Sequence, residues 1–156
     1  MSIDESKELF EKKHLENNLE LVMSSHYIHT AADRCQVTFK AAIDVEIVEE
    51  YFKSSALYNL DINRVTSILG DKTSYSYSKT RNFIPEDEKY KIFEDLKHQF
   101  LDTNLTYISS PSFPAKLIKR NYVLAQIDET NRLNKEAYYK KLSSDRGKTK
   151  TNGGNQ

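Results

Sequence analysis

Tryptophan is absent from this 156-residue chain, cysteine occurs once, and three prolines and four glycines are the only strong breakers. A lone thiol, Cys35, cannot close an internal disulfide, so packing has to hold the fold, and a reducing, cytoplasmic setting is expected. No run of about 18 apolar residues occurs, which argues against a transmembrane helix or any membrane partner. The opening "MSIDESKELFEKK" has no apolar centre and is unlike a secretory leader. With so few breakers, and with Glu, Lys, Leu and Asn abundant, composition points to an all-α fold.

Signatures of chemistry are also missing. No Gly-rich phosphate loop and no Ser/His/Asp or Cys/His pattern occurs, so neither an enzyme nor a bound cofactor is expected. His26, His29, Asp33 and Cys35 cluster in sequence, but their spacing does not supply the paired ligands of a structural zinc site. Adjacent carboxylates such as Glu49–Glu50 and Asp87–Glu88 read as solvated helix surface or as complements to a helix dipole.

What is present is a charge gradient beneath a net charge of zero. Residues 1–63 hold 6 Lys/Arg against 12 Asp/Glu, residues 64–112 hold 7 against 7, and residues 113–156 hold 10 against 4. The basic end could meet a polyanion, or the two ends could attract each other within or between chains.

Read for helical period, the chain divides into four parts. Residues 1–43 give N-terminal helices: Ser2 and Glu5 make a capping box before a helix over about 3–24, and Thr30 with Asp33 precedes "AADRCQVTFKAA", where Cys35 and Phe39 are four apart. In residues 44–102, Asp44 precedes "VEIVEEYFKSSALYN", Asp61 caps "INRVTSIL", Gly70 stops it, and Pro85 opens a helix to about Asp102. Residues 103–142 are a loop and a long helix whose apolar positions thin after Ile127, so its end projects or pairs with another chain. Residues 143–156 read as a disordered basic tail.

One stretch decides the rest: "LGDKTSYSYSKTRNFIP", residues 69–85. Thr73 to Ser78 alternate polar with aromatic, the period of a half-buried strand, but no other segment offers a convincing partner strand. As a helix of about 73–81, the same stretch follows a capped helix and a glycine turn. Asp61, Val65, Leu69, Gly70 and Pro85 then resemble the helix-turn-helix domain of phage-repressor-type (Xre-like) proteins over about residues 44–102. The resemblance implies a compact helical bundle and a sequence-specific regulator, a probable repressor, with double-stranded DNA as partner and a homodimer as the binding form. The DNA-binding residues it implies are Lys72, Thr73, Ser74, Ser76, Ser78, Lys79 and Arg81, with Arg64 beside them. The reading from another class is a helical interaction or assembly protein, engaging a protein partner through its terminal helices.

Overall fold

The computed structural model describes residues 9–152, and side-chain surroundings for 9–146. It is an α+β fold, not an all-α bundle. Four strands form one antiparallel sheet in the order β1-β2-β3-β4: Leu9–His14, Glu20–Ala31, Arg34–Glu46 and Lys72–Pro85. Between β3 and β4 lie a 3-10 turn, Glu49–Lys53, and helix α1, Ile62–Leu69. After β4 come helices α2, Lys89–Ile108, and α3, Phe113–Asn152.

The sheet exists because of one central strand. Along β3, Cys35, Val37, Phe39, Ala41, Ile43 and Val45 are all buried, while Lys40, Ala42, Asp44 and Glu46 are exposed. That is the period-two pattern of a sheet with one wet face. β2 matches it with Leu21, Met23, Ser25 and Tyr27. Leu21, Met23, Phe39, Ala41, Ile43 and Val45 meet Phe93, Leu96 and Phe100 of α2, Phe113, Leu117 and Ile118 of α3, and Val65 of α1 in the main core, while Tyr27, Cys35 and Val37 form a second, smaller cluster with Ile84 and Ile92 packed against it. Phe39 sits at the centre of the main core, with ring centroids 5.8 Å from Phe93, 5.7 Å from Phe100 and 6.2 Å from Tyr77.

Several helical expectations fail for a common reason. Residues four apart share a side in both a helix and a strand, so Cys35–Phe39 and Leu15–Leu19–Met23 fit either. The deciding residues are those between. Val37, midway between Cys35 and Phe39, is fully buried, and the burial repeats at every second residue from Cys35 to Val45, the period of a strand. The region expected as helix 3–24 holds β1 and the start of β2, and "AADRCQVTFKAA" is the β2–β3 turn and most of β3. The helix expected after Asp44 is instead the end of β3 followed by the 3-10 turn. The Ser2–Glu5 capping box lies outside the described residues.

Other expectations hold. Asp61 caps α1, its Oδ1 accepting from Asn63 N at 3.0 Å, and Gly70 ends it at φ 85°, in the region that favours glycine. The helix after Pro85 forms, with a 3-10 turn at Glu86–Glu88 before α2, but α2 runs on to Ile108, past the end expected near Asp102 and into the stretch expected as a loop. The last helix is longer than expected: α3 continues to Asn152, through most of the stretch read as a disordered tail. None of the described helices is long and apolar enough to cross a membrane.

Candidate functional site

The Tyr-Ser stretch is strand β4, and its partner is β3, with Tyr75 opposite Ile43, Tyr77 opposite Ala41 and Lys79 opposite Phe39. No recognition helix exists at 73–81. Being last in the sheet order, β4 is an edge strand, so one row of its backbone groups bonds to β3 and the other faces outward.

Two contacts fix which row is which. Ile47 N donates to Asp71 O at 2.9 Å, so the odd residue faces β3. On the other side, the Asn121 amide of α3 donates to Ser74 O at 3.1 Å and to Thr73 Oγ1 at 2.7 Å, so the even residue faces out. In an antiparallel ladder the N–H and C=O of one residue point the same way. Ser76, Ser78 and Thr80 therefore present their N–H and C=O groups to the free edge.

This free stretch has two ends. Asn121 closes it at Ser74. At the other end, the register shifts between Cys35 and Val37, which pair with Ile84 and Arg81, leaving Asn82 and Phe83 opposite Gln36 alone. The bulge bends the strand away. Phe83 occupies it at φ 58°, a left-handed conformation unusual for a bulky residue, with its side chain 75% exposed.

The side chains along the edge divide by face. Tyr75 and Tyr77 turn toward the helices, half-buried, with Tyr75 5.8 Å from the Phe113 ring and Tyr77 4.8 Å from Phe100. Burial pushes the Tyr75 phenol up, and the nearby Arg120 guanidinium pulls the other way. Lys79 and Arg81 follow on the same side, beyond the helical cover and exposed. The opposite face of the sheet is open and rich in hydroxyls: Ser74, Ser76, Ser78 and Thr80, beside Ser24 and Thr38. Thr80 and Thr38 are linked at 3.0 Å, and Ser74 Oγ donates to Asp44 Oδ1 at 2.6 Å. A shallow depression of about 340 Å³ lies on this open face around Lys40, Ala42, Ser76 and Ser78.

The eight residues assigned to DNA contact do not share one surface. Lys72, Ser74, Ser76 and Ser78 face the open side, with Lys72 3.9 Å from Asp44. Thr73, Lys79 and Arg81 lie on the helix side. Arg64 is on α1, beside a depression shared with α3. The residues missing from the sequence reading are Asn121, which sets where the edge begins, and Phe83, which marks where it ends. The T-S-Y-S-Y-S alternation was the available signal for the strand itself.

The opposite edge, β1, is guarded. It carries Glu11, Lys12 and Lys13 in succession, and Lys97 of α2 reaches Glu11 at 2.9 Å while also meeting Glu94. Hydrogen bonds to both carboxylates, Glu11 first, raise the Lys97 pKa and keep this link charged. Consecutive charges on an edge discourage pairing.

Other chemistry finds no assembled site. Among the described residues no three His, Cys, Asp or Glu side chains are placed to hold a metal ion. His29 Nδ1 lies 2.6 Å from Glu86 Oε1, His26 faces the open side, and Cys35 is buried under the other face. Burial pushes the Cys35 thiol up, the opposite of what a nucleophilic thiolate needs.

No protein-family model, curated protein or solved structure matches this chain.

Proposed function

We propose that this chain is a non-enzymatic protein-binding module that adds an extended segment of another protein to its sheet along β4. The observation that carries the proposal is the row of outward-facing backbone groups at Ser76, Ser78 and Thr80, bounded by Asn121 and the Phe83 bulge. Such an edge is the receptor surface of β-augmentation, in which backbone bonds give affinity and alternate side chains give specificity.

Magnitudes say what the partner must bring. Three rungs offer six hydrogen bonds, worth about 0.5–1.5 kcal/mol each, or about 3–9 kcal/mol together. Association costs on the order of 4–15 kcal/mol before any contact counts. Backbone pairing alone is therefore weak, and side chains must decide the partner. One face of an added strand would lie beside Tyr75 and Tyr77 and then beside Lys79 and Arg81. The favoured segment is extended, alternating, with apolar residues on that face and an acidic one near its end. The other face would continue the Ser/Thr surface and favours polar residues.

DNA reading by a helix loses its carrier, because residues 73–81 form a strand whose polar side chains point to both faces.

Selection of a displayed random peptide library on the full chain tests the proposal. Enriched peptides are expected to alternate apolar and polar residues with an acidic end, and to lose at least about tenfold in affinity, about 1.4 kcal/mol, when Ser78 is proline. A selection yielding no such peptides, or peptides whose binding ignores Ser78→Pro, overturns it.

A further inference from the structure

The two ends of the free β4 edge differ. At the Ser74 end, α3 lies across the helix side of the strand. Phe113, Leu117, Ile118 and Tyr122 anchor it in the core before it leaves the body, with residues 127–146 exposed. Phe113 sits against Tyr75, ring centroids 5.8 Å apart, and the Asn121 amide reaches the outward carbonyl of Ser74 at 3.1 Å. That carbonyl points along the plane of the sheet, so the Asn121 side chain stands in the path of a strand continuing past Ser74. At the other end the Phe83 bulge turns β4 aside, and an added strand can run on.

The closed end carries a cation. Arg120 is exposed, precedes Asn121, and lies two turns beyond Phe113 on the same face of α3. Burial pushes the Tyr75 phenol up and the Arg120 charge opposes it, so the guanidinium acts on the strand as well as lying beside it in sequence order on the helix. Both hydrogens of the Asn121 amide are already engaged, one with Thr73 Oγ1 at 2.7 Å and one with Ser74 O. A charged group arriving at this end therefore meets Arg120.

Direction follows from the same geometry. An antiparallel segment exchanges both backbone bonds with each of Ser76, Ser78 and Thr80 and brings its C-terminal side to Ser74; a parallel one brings its N-terminal side there. A carboxylate beside Arg120 is stabilised, whereas an ammonium is repelled. We infer that the segment received by β4 is the free C-terminus of another protein, running antiparallel and ending with its carboxylate at Arg120. This rests on the β4 reading and names its ligand. The last residue lies opposite Tyr75 and the second before it opposite Tyr77, and both are apolar. The fourth and sixth before the last lie opposite Lys79 and Arg81, and are acidic. Those between continue the Ser/Thr face and are polar.

Fluorescence anisotropy on the full chain tests it. The probe is a seven-residue peptide labelled at its N-terminus, with Glu opposite Arg81 and Lys79, Val opposite Tyr77 and Tyr75, and Thr between. Three forms are compared: the free acid, the C-terminal amide, and the acid extended by two glycines. The free acid is expected to bind about fivefold or more tightly than the amide. The extended form should bind no better than the amide, because Asn121 stands in its way. Arg120→Gln should bring acid and amide together, while Arg120→Lys keeps the acid ahead. If the three forms bind alike and all weaken on Ser78→Pro, the β4 reading stands and this inference falls. An acid preference that survives Arg120→Gln places the carboxylate elsewhere and also overturns it. No binding by any form up to about 1 mM, or binding indifferent to Ser78→Pro, overturns both.

Discussion

Phe39→Ala is expected to destabilise the protein by about 3–5 kcal/mol, the range for removing a phenyl ring from a packed core. Phe39 is fully buried, and its ring neighbours come from α2 and from β4. No single element can close over the gap, so little of the cavity should collapse. Against a whole stability of about 5–15 kcal/mol, the loss is about a fifth or more. For a chain of this size it lowers Tm by roughly 6–20 °C. Phe10, on β1, is the internal control: it is 58% exposed, and its alanine variant should stay within about 0.5 kcal/mol. Urea titration of both variants checks the pair. Equal effects would mean that the buried face of the sheet has been misplaced.

The second large effect concerns two neighbouring residues. Lys79 and Ser78 both carry exposed side chains, but the Lys79 N–H points into the β3 ladder opposite Phe39 and the Ser78 N–H points out. Proline removes the N–H and fixes φ, and it is tolerated in a sheet where that N–H faces solvent. Lys79→Pro is expected to cost about 3 kcal/mol or more. Ser78→Pro should cost about 1 kcal/mol, leaving a folded protein. Function should follow the reverse order, because Ser78→Pro removes the outward N–H of the central rung and sets the proline ring against an added strand. Thermal denaturation of both variants, read beside peptide binding by the folded Ser78→Pro protein, checks both halves.

How much of this was legible in the sequence differs by element. The α1 cap at Asp61, its stop at Gly70 and the helix behind Pro85 were readable because capping is local chemistry, settled within a few residues. The sheet was not read because pairing is long-range. β3 and β4 are separated by α1 and a turn, and the partner strand lay inside "AADRCQVTFKAA", where a four-residue spacing suited both periods. Because that spacing fits a helix equally well, the alternation of Thr73 to Ser78 stands in the sequence without a visible partner strand. The candidate residues of the strand were mostly present in the sequence reading, but as one surface. The structure divides them between two faces, and the proposed site is the backbone between Ser76 and Thr80, which carries no side-chain signature. The projecting end of α3 was foreshadowed by the loss of apolar positions after Ile127, whereas its continuation to Asn152 was masked by a polar composition that also suits a disordered tail.

Amide hydrogen exchange, resolved residue by residue across Tyr75 to Arg81, reaches the free edge most directly. In the chain alone, Tyr75, Tyr77, Lys79 and Arg81 should exchange slowly, held by the β3 ladder, while Ser76, Ser78 and Thr80 exchange quickly between them. A selected peptide should then slow those three and leave their neighbours unchanged. Slow exchange at Ser76, Ser78 and Thr80 before any peptide is added would contradict the account, because the edge would already be covered.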